Sequence, residues 1–271
     1  MNTRIHKGTA LITGASSGIG AVYADRLARD GYDLILVARR ADKLRDLARE
    51  LTTRTGRSVE TIAADLTDPD GVARVQEALR TDASITMLVN NAGIGATAPL
   101  LQSSIDDMER MITLNVNVLT RLAYAVAPAF VARGTGTIIN IASIVALAPE
   151  LLNGVYGGSK AYVLAFSQSL QHELADKGVR VQAVLPGATA TDFWDVAGLP
   201  VAHLPQEIVM PVEAMVDAAL AGLAQGELVT IPALAELKDW NALESARKAL
   251  APQLSSSAPA PRYRTAPTAI N

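Results

Sequence analysis

The 271-residue chain contains no cysteine. Disulfide bonds, thiolate metal sites and cysteine nucleophiles are therefore excluded. The chain has only three histidines, His6, His172 and His203, which are scattered, and none shares a motif with a carboxylate at ligand spacing. We therefore expect no metal site.

An excess of positive charge is also lacking. The formal net charge is -3 and the isoelectric point is near 5.7, which argues against a nucleic-acid partner. The N-terminal stretch MNTRIHKGTALITG lacks the continuous apolar segment of a signal peptide, and no uncharged apolar run reaches the length of a membrane span. We expect a cytoplasmic protein that does not bind membranes.

Apolar residues are abundant, at 49% of the chain, and short apolar runs alternate with longer helical patterns. This alternation predicts right-handed crossovers and a parallel sheet with helices on both faces. We predict an α/β, single-domain Rossmann fold with a doubly wound seven-stranded sheet over residues 1–251, followed by a Pro/Ser/Ala-rich tail over 252–271. The predicted strands lie at residues 9–13, 33–38, 58–64, 85–93, 136–143, 179–187 and 227–233.

A glycine cluster, TGASSGIG (13–20), follows the first predicted strand and opens a helix. Gly14 allows a sharp turn, Gly18 lets the backbone approach a phosphate, and Gly20 lets helix and strand pack closely. A turn without a ligand is the alternative, but the place after the first strand favours dinucleotide binding. The predicted contacts in this turn are Gly14, Ser16, Ser17, Gly18, Ile19 and Gly20.

The end of the second strand bears on the choice of dinucleotide. NAD sites usually carry an acidic residue there, but this chain has Ala38, followed by Arg39 and Arg40. Guanidinium groups suit a ribose 2′-phosphate through charge-assisted bonds. The sequence therefore predicts NADP (NADPH), with Arg39 as the main contact; the alternative is that both arginines are solvated surface residues.

The stretch GVYGGSKAYV places Tyr156 and Lys160 four residues apart, on one face of a predicted helix. A free phenol has a pKa near ~10, and lowering it to roughly 7 requires about 4 kcal/mol. One positive charge about 4 Å away supplies about that much at an effective dielectric constant near 20. The lysine could make this phenol a usable acid/base, although such pairs also occur by chance.

Other polar residues are expected near this pair. Ser143 ends the strand IINIAS, Asn115 begins an apolar helix, and NNAG (90–93) ends the fourth strand. Ligands gather at the carboxyl ends of parallel strands, so these groups should converge there.

In their order and spacing, these motifs resemble those of the short-chain dehydrogenases/reductases, from about Thr9 to Pro232. The resemblance implies that Tyr156 is the general acid/base, that Lys160 lowers its pKa and binds the nicotinamide ribose, that Ser143 positions the substrate carbonyl, and that Asn115 holds a water in a proton relay. It places Asp65 and Leu66 at the adenine. The remaining implied cofactor contacts are Asn91, Ala92, Gly93, Pro186, Gly187, Thr189 and Thr191, with Thr189 standing where the family usually has a branched apolar residue.

The resemblance implies hydride transfer between NADPH and a carbonyl or alcohol. Few charges in residues 188–211 favour a hydrophobic small molecule. A non-catalytic NADP-binding sensor and a non-redox lyase are the alternatives. Phe193 and Trp194 form either a substrate lid or loop packing.

The helix around residues 115–133 is apolar almost all round, with Thr120 and Arg121 the chief exceptions, and the Tyr156 helix is similarly rich in apolar residues. One sheet face covers only one side of a helix, so a second copy should cover the rest. We expect a homodimer or homotetramer.

Overall fold

A computed structural model describes residues 6–263. The chain forms two compact units, Met1–Pro232 and Ala233–Asn271. The strands of the first unit are β1 Thr9–Thr13, β2 Asp33–Ala38, β3 Val59–Ala63, β4 Ile85–Asn90, β5 Gly136–Ile141, β6 Val179–Val184 and β7 Val229–Thr230. Its α-helices are α1 Gly18–Arg29, α2 Ala41–Thr55, α3 Pro69–Thr81, α4 Ile105–Ile112, α5 Leu119–Arg133, α6 Gly154–Leu174, α7 Phe193–Val196 and α8 Val212–Gln225.

The seven strands form one parallel sheet in the order β3-β2-β1-β4-β5-β6-β7. The chain moves outward from β1 in one direction and then, from β4, in the other. This reversal leaves a crevice outside the carboxyl ends of β1 and β4, where ligands bind in such sheets. The predicted fold class is confirmed.

Helices cover both faces of the sheet because side chains along a strand point alternately to either side. In β1, Ala10 and Ile12 belong to one core cluster with α1, α2 and α8, whereas Leu11 belongs to a second cluster with α3, α5 and α6. All three side chains are fully buried. The continuous apolar runs of the sequence therefore reflect a sheet buried on both faces.

Several strands are shorter than predicted at their carboxyl ends. β5 ends at Ile141 and β6 at Val184, and the residues beyond them turn away along the crevice. Ser143 begins a 3₁₀ turn, and its hydroxyl accepts a hydrogen bond from Val145 N at 3.3 Å. The segments that follow these two strands line the crevice instead of extending the sheet.

Helices α4 and α5 are joined by a π-helical segment, Thr113–Val118, into one helix, Ile105–Arg133. Asn115 therefore lies in the middle of a long helix, and the prediction that it begins one is wrong. By length and composition alone this helix could cross a membrane. The helix nevertheless packs as a core helix. Its side chains Leu122, Val126 and Phe130 are fully buried in the core cluster on one face of the sheet.

The second unit contains α9, Leu237–Leu250, and short 3₁₀ turns at Ala251–Gln253 and Pro261–Tyr263. Within α9, Arg247 forms an ion pair with Glu244 at 2.8 Å. The boundary expected at residue 251 lies after this helix, whereas the compact unit that holds the sheet ends at Pro232. Of the expected tail, residues 264–271 lie outside the described residues.

Candidate active site

The glycine cluster forms a tight turn between β1 and α1. Gly14 and Gly18 have φ angles of 67° and 56°, in the left-handed region that favours glycine. A Cβ on Gly20 would lie 2.4 Å from Gly14 O, so helix and turn approach more closely than any side chain permits. No side-chain hydrogen bond caps α1 at Ser17. The first N–H groups of α1 are therefore oriented to receive an anion such as a phosphate.

The fourth strand is tied to this turn by Asn91. Its side-chain amide donates to Thr13 O at 2.9 Å and to Gly14 O at 3.2 Å, and its backbone N–H donates to Thr13 Oγ1 at 3.0 Å. These bonds fix NNAG against the glycine turn across the crevice. The sequence indicates that both segments belong to one site, and the hydrogen bonds give the reason.

The two arginines that follow β2 lie beside the same turn. Nη2 of Arg40 donates to the hydroxyls of Ser16 and Ser17, both at 3.3 Å. Arg39 is exposed and its charge lowers the pKa of the Asp65 carboxyl. The side chain of Arg40 therefore contacts the phosphate-binding turn, whereas the sequence predicts Arg39 as the main contact.

The Asp65 carboxylate is held by the backbone that follows it. Its Oδ1 accepts from Thr67 N at 2.9 Å and from Thr67 Oγ1 at 2.8 Å. The backbone hydrogen bond is the main reason that the pKa of Asp65 lies below its ordinary value, with Arg39 and Arg110 adding smaller effects. Asp65 is therefore a fixed anionic acceptor at this end of the crevice.

A single cavity of about 930 Å³ runs from Arg40 to Tyr156. Nearly all the predicted cofactor and catalytic residues line it; the exceptions are Gly20, which packs behind the turn, and Asn115. The structure brings these lining residues together: Gly14, Ser16, Ser17, Gly18, Ile19, Arg39, Arg40, Asp65, Leu66, Asn91, Ala92, Gly93, Ser143, Tyr156, Lys160, Pro186, Gly187, Thr189 and Thr191.

Helix α6 carries the tyrosine and lysine, and its start is fixed by Asn153. The Asn153 side-chain oxygen accepts from Val155 N at 2.9 Å and from Tyr156 N at 3.3 Å, which satisfies two N–H groups of the first turn. The Asn153 amide donates to Ala98 O at 2.7 Å. This cap sets where the helix begins and holds Tyr156 in its first turn.

A buried chain of amide and hydroxyl groups ties the middle of α6 to the sheet. Asn90 donates to Asn140 at 2.9 Å, Asn140 donates to Ser167 at 2.9 Å, and Ser167 donates to Val163 O at 2.7 Å. Asn140 and Ser167 are fully buried. Because a broken buried hydrogen bond leaves an unsatisfied polar group, this chain opposes sliding of α6 along β5.

The Tyr156 phenol is buried, and burial raises its pKa to about 12, with a hydrogen bond to Ser143 acting in the opposite direction. A lysine charge about 4 Å from the phenol would bring its pKa toward neutrality, as the sequence predicts. In the structure Lys160 Nζ lies 5.8 Å from the centre of the phenol ring, and burial is the largest influence on the phenol. The prediction of a lowered pKa is wrong for the phenol as the structure presents it.

Lys160 is buried next to the Tyr156 ring. Its Nζ donates to Ile141 O at 2.9 Å, at the last residue of β5. Burial lowers its pKa to about 8, so the ammonium form still prevails at neutral pH. The lysine thus places a positive charge between α6 and the carboxyl end of β5.

Asn115 is buried behind the cavity and its hydrogen bonds are used within the protein. Its Oδ1 accepts from Ile94 N at 3.0 Å, and its Nδ2 donates to Ile94 O at 2.8 Å and to Ser159 at 3.1 Å. Both amide protons are therefore committed to protein groups. Asn115 fixes the loop after β4 in place, and a water relay through its side chain would have to use the remaining lone pair of Oδ1.

Phe193 and Trp194 follow β6, and both line the cavity. Trp194 is buried and its indole N–H donates to Thr189 O at 3.0 Å, which fixes the loop. The ring of Phe193 lies 5.8 Å from the ring of Tyr156. Both residues therefore combine loop packing with a place in the cavity wall.

An apolar wall beside Tyr156 was not predicted from the sequence. It includes Ile144, Val145, Leu151 and Leu152. These residues follow β5 in 3₁₀ turns and bends that have no periodicity, so no sequence pattern indicates that their side chains line the cavity.

Comparisons with known proteins agree with this geometry. The family model described as short chain dehydrogenase matches residues 8–198. The chain belongs to that family. The predicted membership of the short-chain dehydrogenases/reductases is therefore confirmed, and with it the general class of oxidoreductase.

Individual members of the short-chain dehydrogenase family show how similar this chain is to others. Serine 3-dehydrogenase from Agrobacterium fabrum is 38% identical over 188 residues, which are 69% of this chain and 74% of that protein. A short-chain dehydrogenase from Sphingobium yanoikuyae, solved in complex with NADPH, has 50% sequence identity to this chain. Its structure matches with a TM-score of 0.92, and the match covers 95% of this chain and 100% of that one. A bulky-bulky ketone specific alcohol dehydrogenase from Comamonas testosteroni is 44% identical, with a TM-score of 0.89 over 96% and 100%.

The raised pKa of Tyr156 predicts a titration. Because this pKa lies above the ordinary value, the phenol stays protonated at neutral pH and ionises only as the pH approaches about 12. The near-ultraviolet absorbance of tyrosinate, recorded against pH for the wild type minus Tyr156→Phe, should show no ionisation between neutral pH and the pKa of an ordinary phenol. Circular dichroism should be followed in parallel. A difference signal that titrates near neutral pH would contradict the assignment.

Proposed function

We propose that this protein is an NADPH-dependent oxidoreductase that reduces bulky hydrophobic ketones to alcohols, with Tyr156 as the proton donor. One observation carries the proposal: a continuous cavity connects the phosphate-binding turn and its arginines with the buried phenol and an apolar wall. The first end suits a phosphorylated dinucleotide and the second suits a hydrophobic carbonyl compound.

The residues present fit NADPH. Gly14, Gly18 and Gly20 form a turn that side chains would fill, ahead of an uncapped helix N-terminus. Ala38 ends β2 where NAD sites usually place an acid, so no carboxylate there would repel a 2′-phosphate. Arg40 supplies a guanidinium group that contacts Ser16 and Ser17, and Arg39 supplies a second one in the cavity wall. The NADPH complex of the Sphingobium yanoikuyae relative supports the same choice.

When bound in this cavity, NADPH would supply the hydride that reduces the carbonyl carbon. The protein's part is to bind the carbonyl oxygen and deliver a proton to it. The Ser143 hydroxyl and the Tyr156 phenol share a hydrogen bond and both line the cavity, so a carbonyl oxygen can be held between them. Charge that develops on this oxygen takes the phenol proton, and the Lys160 ammonium stabilises the resulting phenolate.

The protonation state of Tyr156 favours the reductive direction. A pKa of about 12 keeps the phenol protonated at neutral pH, which is the form that donates a proton to a carbonyl oxygen. Alcohol oxidation needs the phenolate as a base, and this form is scarce at neutral pH. We infer that reduction is the faster direction near neutrality.

The wall around Tyr156 indicates the substrate class. Of the described residues that line this end, the charged ones are Lys160, which is buried and donates to Ile141 O, and Asp192, which is exposed. Arg110 also lines the cavity and is paired with Asp107 at 3.1 Å. Because the wall beside the phenol is mostly apolar, a neutral hydrophobic ketone fits better than an anionic substrate, and the ketone specificity of the Comamonas testosteroni relative supports this. The apolar side chains of this wall are Ile144, Val145, Leu151, Leu152, Phe193, Val196, Leu199, Leu204 and Ile208.

Removal of the phenol should abolish proton delivery. We predict that Tyr156→Phe lowers kcat for ketone reduction by at least ~10², the scale of lost acid–base catalysis. The ring stays in place, so the dissociation constant of NADPH should change little. Steady-state rates and NADPH fluorescence measure these two quantities. Tyr162→Phe, on the exposed side of the same helix, is the matched control and should keep wild-type kcat. Retained activity in Tyr156→Phe would exclude the mechanism.

The arginines should determine the choice of cofactor. A charge-assisted contact is worth about 1.5–3 kcal/mol, or roughly ten- to a hundredfold in affinity. We predict that Arg39→Leu and Arg40→Leu each raise KM for NADPH by about tenfold and leave KM for NADH nearly unchanged. Arg49→Leu, an exposed arginine on α2, should change neither value. A wild type that uses NADH and NADPH equally well would refute the assignment.

We also propose that the protein is a homodimer or homotetramer formed through α5 and α6. Three apolar residues of α6, Val163, Leu164 and Leu170, are buried in the chain's own core and are not available to a partner. The exposed surface instead carries stacked rings, with Phe166 6.4 Å from Tyr124 and 5.6 Å from Tyr162. Tyr124 is 69% exposed, and aromatic side chains are enriched at interfaces.

Light scattering at low micromolar concentration tests the assembly. The predicted mass is two or four times 28.4 kDa, and Tyr124→Glu should reduce it by introducing a charge among the rings. A wild-type mass equal to that of one chain would rule the oligomer out.

A further inference from the structure

Phe193 is placed where a substrate substituent would lie. It is the first residue of α7 and lines the cavity. Its ring lies 5.8 Å from that of Tyr156, with the two planes tilted by 41°. A group bound next to the Tyr156 hydroxyl must therefore share its space with the Phe193 ring.

Gly95 forms the seat behind this ring. A Cβ built on Gly95 would lie 2.2 Å from Phe193 Cζ and 2.8 Å from Cε2, far inside van der Waals contact. Gly95 itself does not line the cavity, whereas Phe193 does. The ring thus rests on the Gly95 backbone on one side and faces the substrate space on the other.

The loop around Phe193 is held on other sides as well. The ring of Trp194 packs edge-on against Phe193 at 5.7 Å, and Trp194 is fixed by its bond to Thr189 O. Thr97 donates from its backbone N at 3.2 Å and its hydroxyl at 2.9 Å to Ala197 O, which joins α7 to the loop that contains Gly95. The position of the ring is therefore set by packing and does not depend on a mobile lid.

We propose that Phe193, seated against Gly95, is a specificity-determining residue whose ring limits the size of the ketone substituent that can lie beside the Tyr156 phenol. The proposal rests on the proposed ketone reductase function and adds to it the residue pair that sets substrate size. Glycine at position 95 keeps the ring back from the substrate space. Any side chain there would push the ring forward, because its tip is the part that the added Cβ would strike.

The test compares a small methyl ketone with a diaryl ketone, using the ratio of kcat/KM for the large ketone to that for the small one. Size discrimination in an apolar pocket spans roughly ten- to two-hundredfold. Phe193→Ala should raise the ratio by about tenfold, Phe193→Leu should raise it less, and Gly95→Ala should lower it by about tenfold. Gly154→Ala is the matched glycine control, since an added Cβ there meets nothing within 4 Å, and it should leave the ratio unchanged.

The double variant Gly95→Ala/Phe193→Ala separates this mechanism from general damage. If Gly95 acts through the ring, the double variant should have the ratio of Phe193→Ala alone. An equal drop caused by Gly95→Ala in both backgrounds would overturn the proposal, as would an unchanged ratio in Phe193→Ala. Should Gly95→Ala fail to fold, the graded series Phe, Leu, Ala at position 193 still decides, and a ratio that does not follow side-chain size overturns the proposal.

Binding of the two ketones, followed by quenching of tryptophan fluorescence in the presence of NADP, gives the same ratio without turnover. Wild-type binding without NADPH oxidation would contradict the proposed function alone. Dissociation constants whose ratio does not change between Phe, Leu and Ala at position 193 would contradict the role of Phe193 alone.

Discussion

The position of α6 on the sheet is the constraint on which the site depends. This helix carries both titratable groups of the proposed mechanism, Tyr156 and Lys160, and each is buried. A shift of one helical turn would move Lys160 away from Ile141 O and Tyr156 away from Ser143. The Asn153 cap, the Asn140–Ser167 bond and the Lys160–Ile141 bond hold the start, middle and active face of the helix in place. Most of the polar groups buried around this helix serve to fix its register.

Burial sets the chemistry as well as the position. The same apolar surroundings raise the pKa of the Tyr156 phenol and lower that of the Lys160 ammonium. The phenol is thus protonated near neutral pH, and the lysine keeps its charge there. The apolar wall beside Tyr156 also encloses the space that we propose for a hydrophobic ketone. On this proposal, burial accounts for both the protonation state of the phenol and the substrate class.

Much of the fold and site could be predicted from the sequence because their signals are local. The glycine turn, the apolar runs and the spacing of Tyr156 and Lys160 each lie within a few residues of the chain. The distance between Lys160 and the phenol could not be predicted, since it depends on how α6 packs against β5. The pairing of Gly95 with Phe193 could not be predicted either, because these residues are far apart in the chain and meet through α7. The contact of Arg40 with Ser16 and Ser17 could not be predicted either, because it joins the end of β2 to the turn that follows β1.

A single-turnover experiment tests the central claim most directly. The enzyme is loaded with less than one equivalent of NADPH, mixed at neutral pH with a diaryl ketone, and both the loss of NADPH absorbance and the alcohol formed are measured. The proposed function predicts one alcohol for each NADPH consumed in the wild type and almost none over the same time in Tyr156→Phe. NADPH that remains bound and unoxidised in the wild type with diaryl and methyl ketones alike would contradict it and would point to a cofactor-binding sensor.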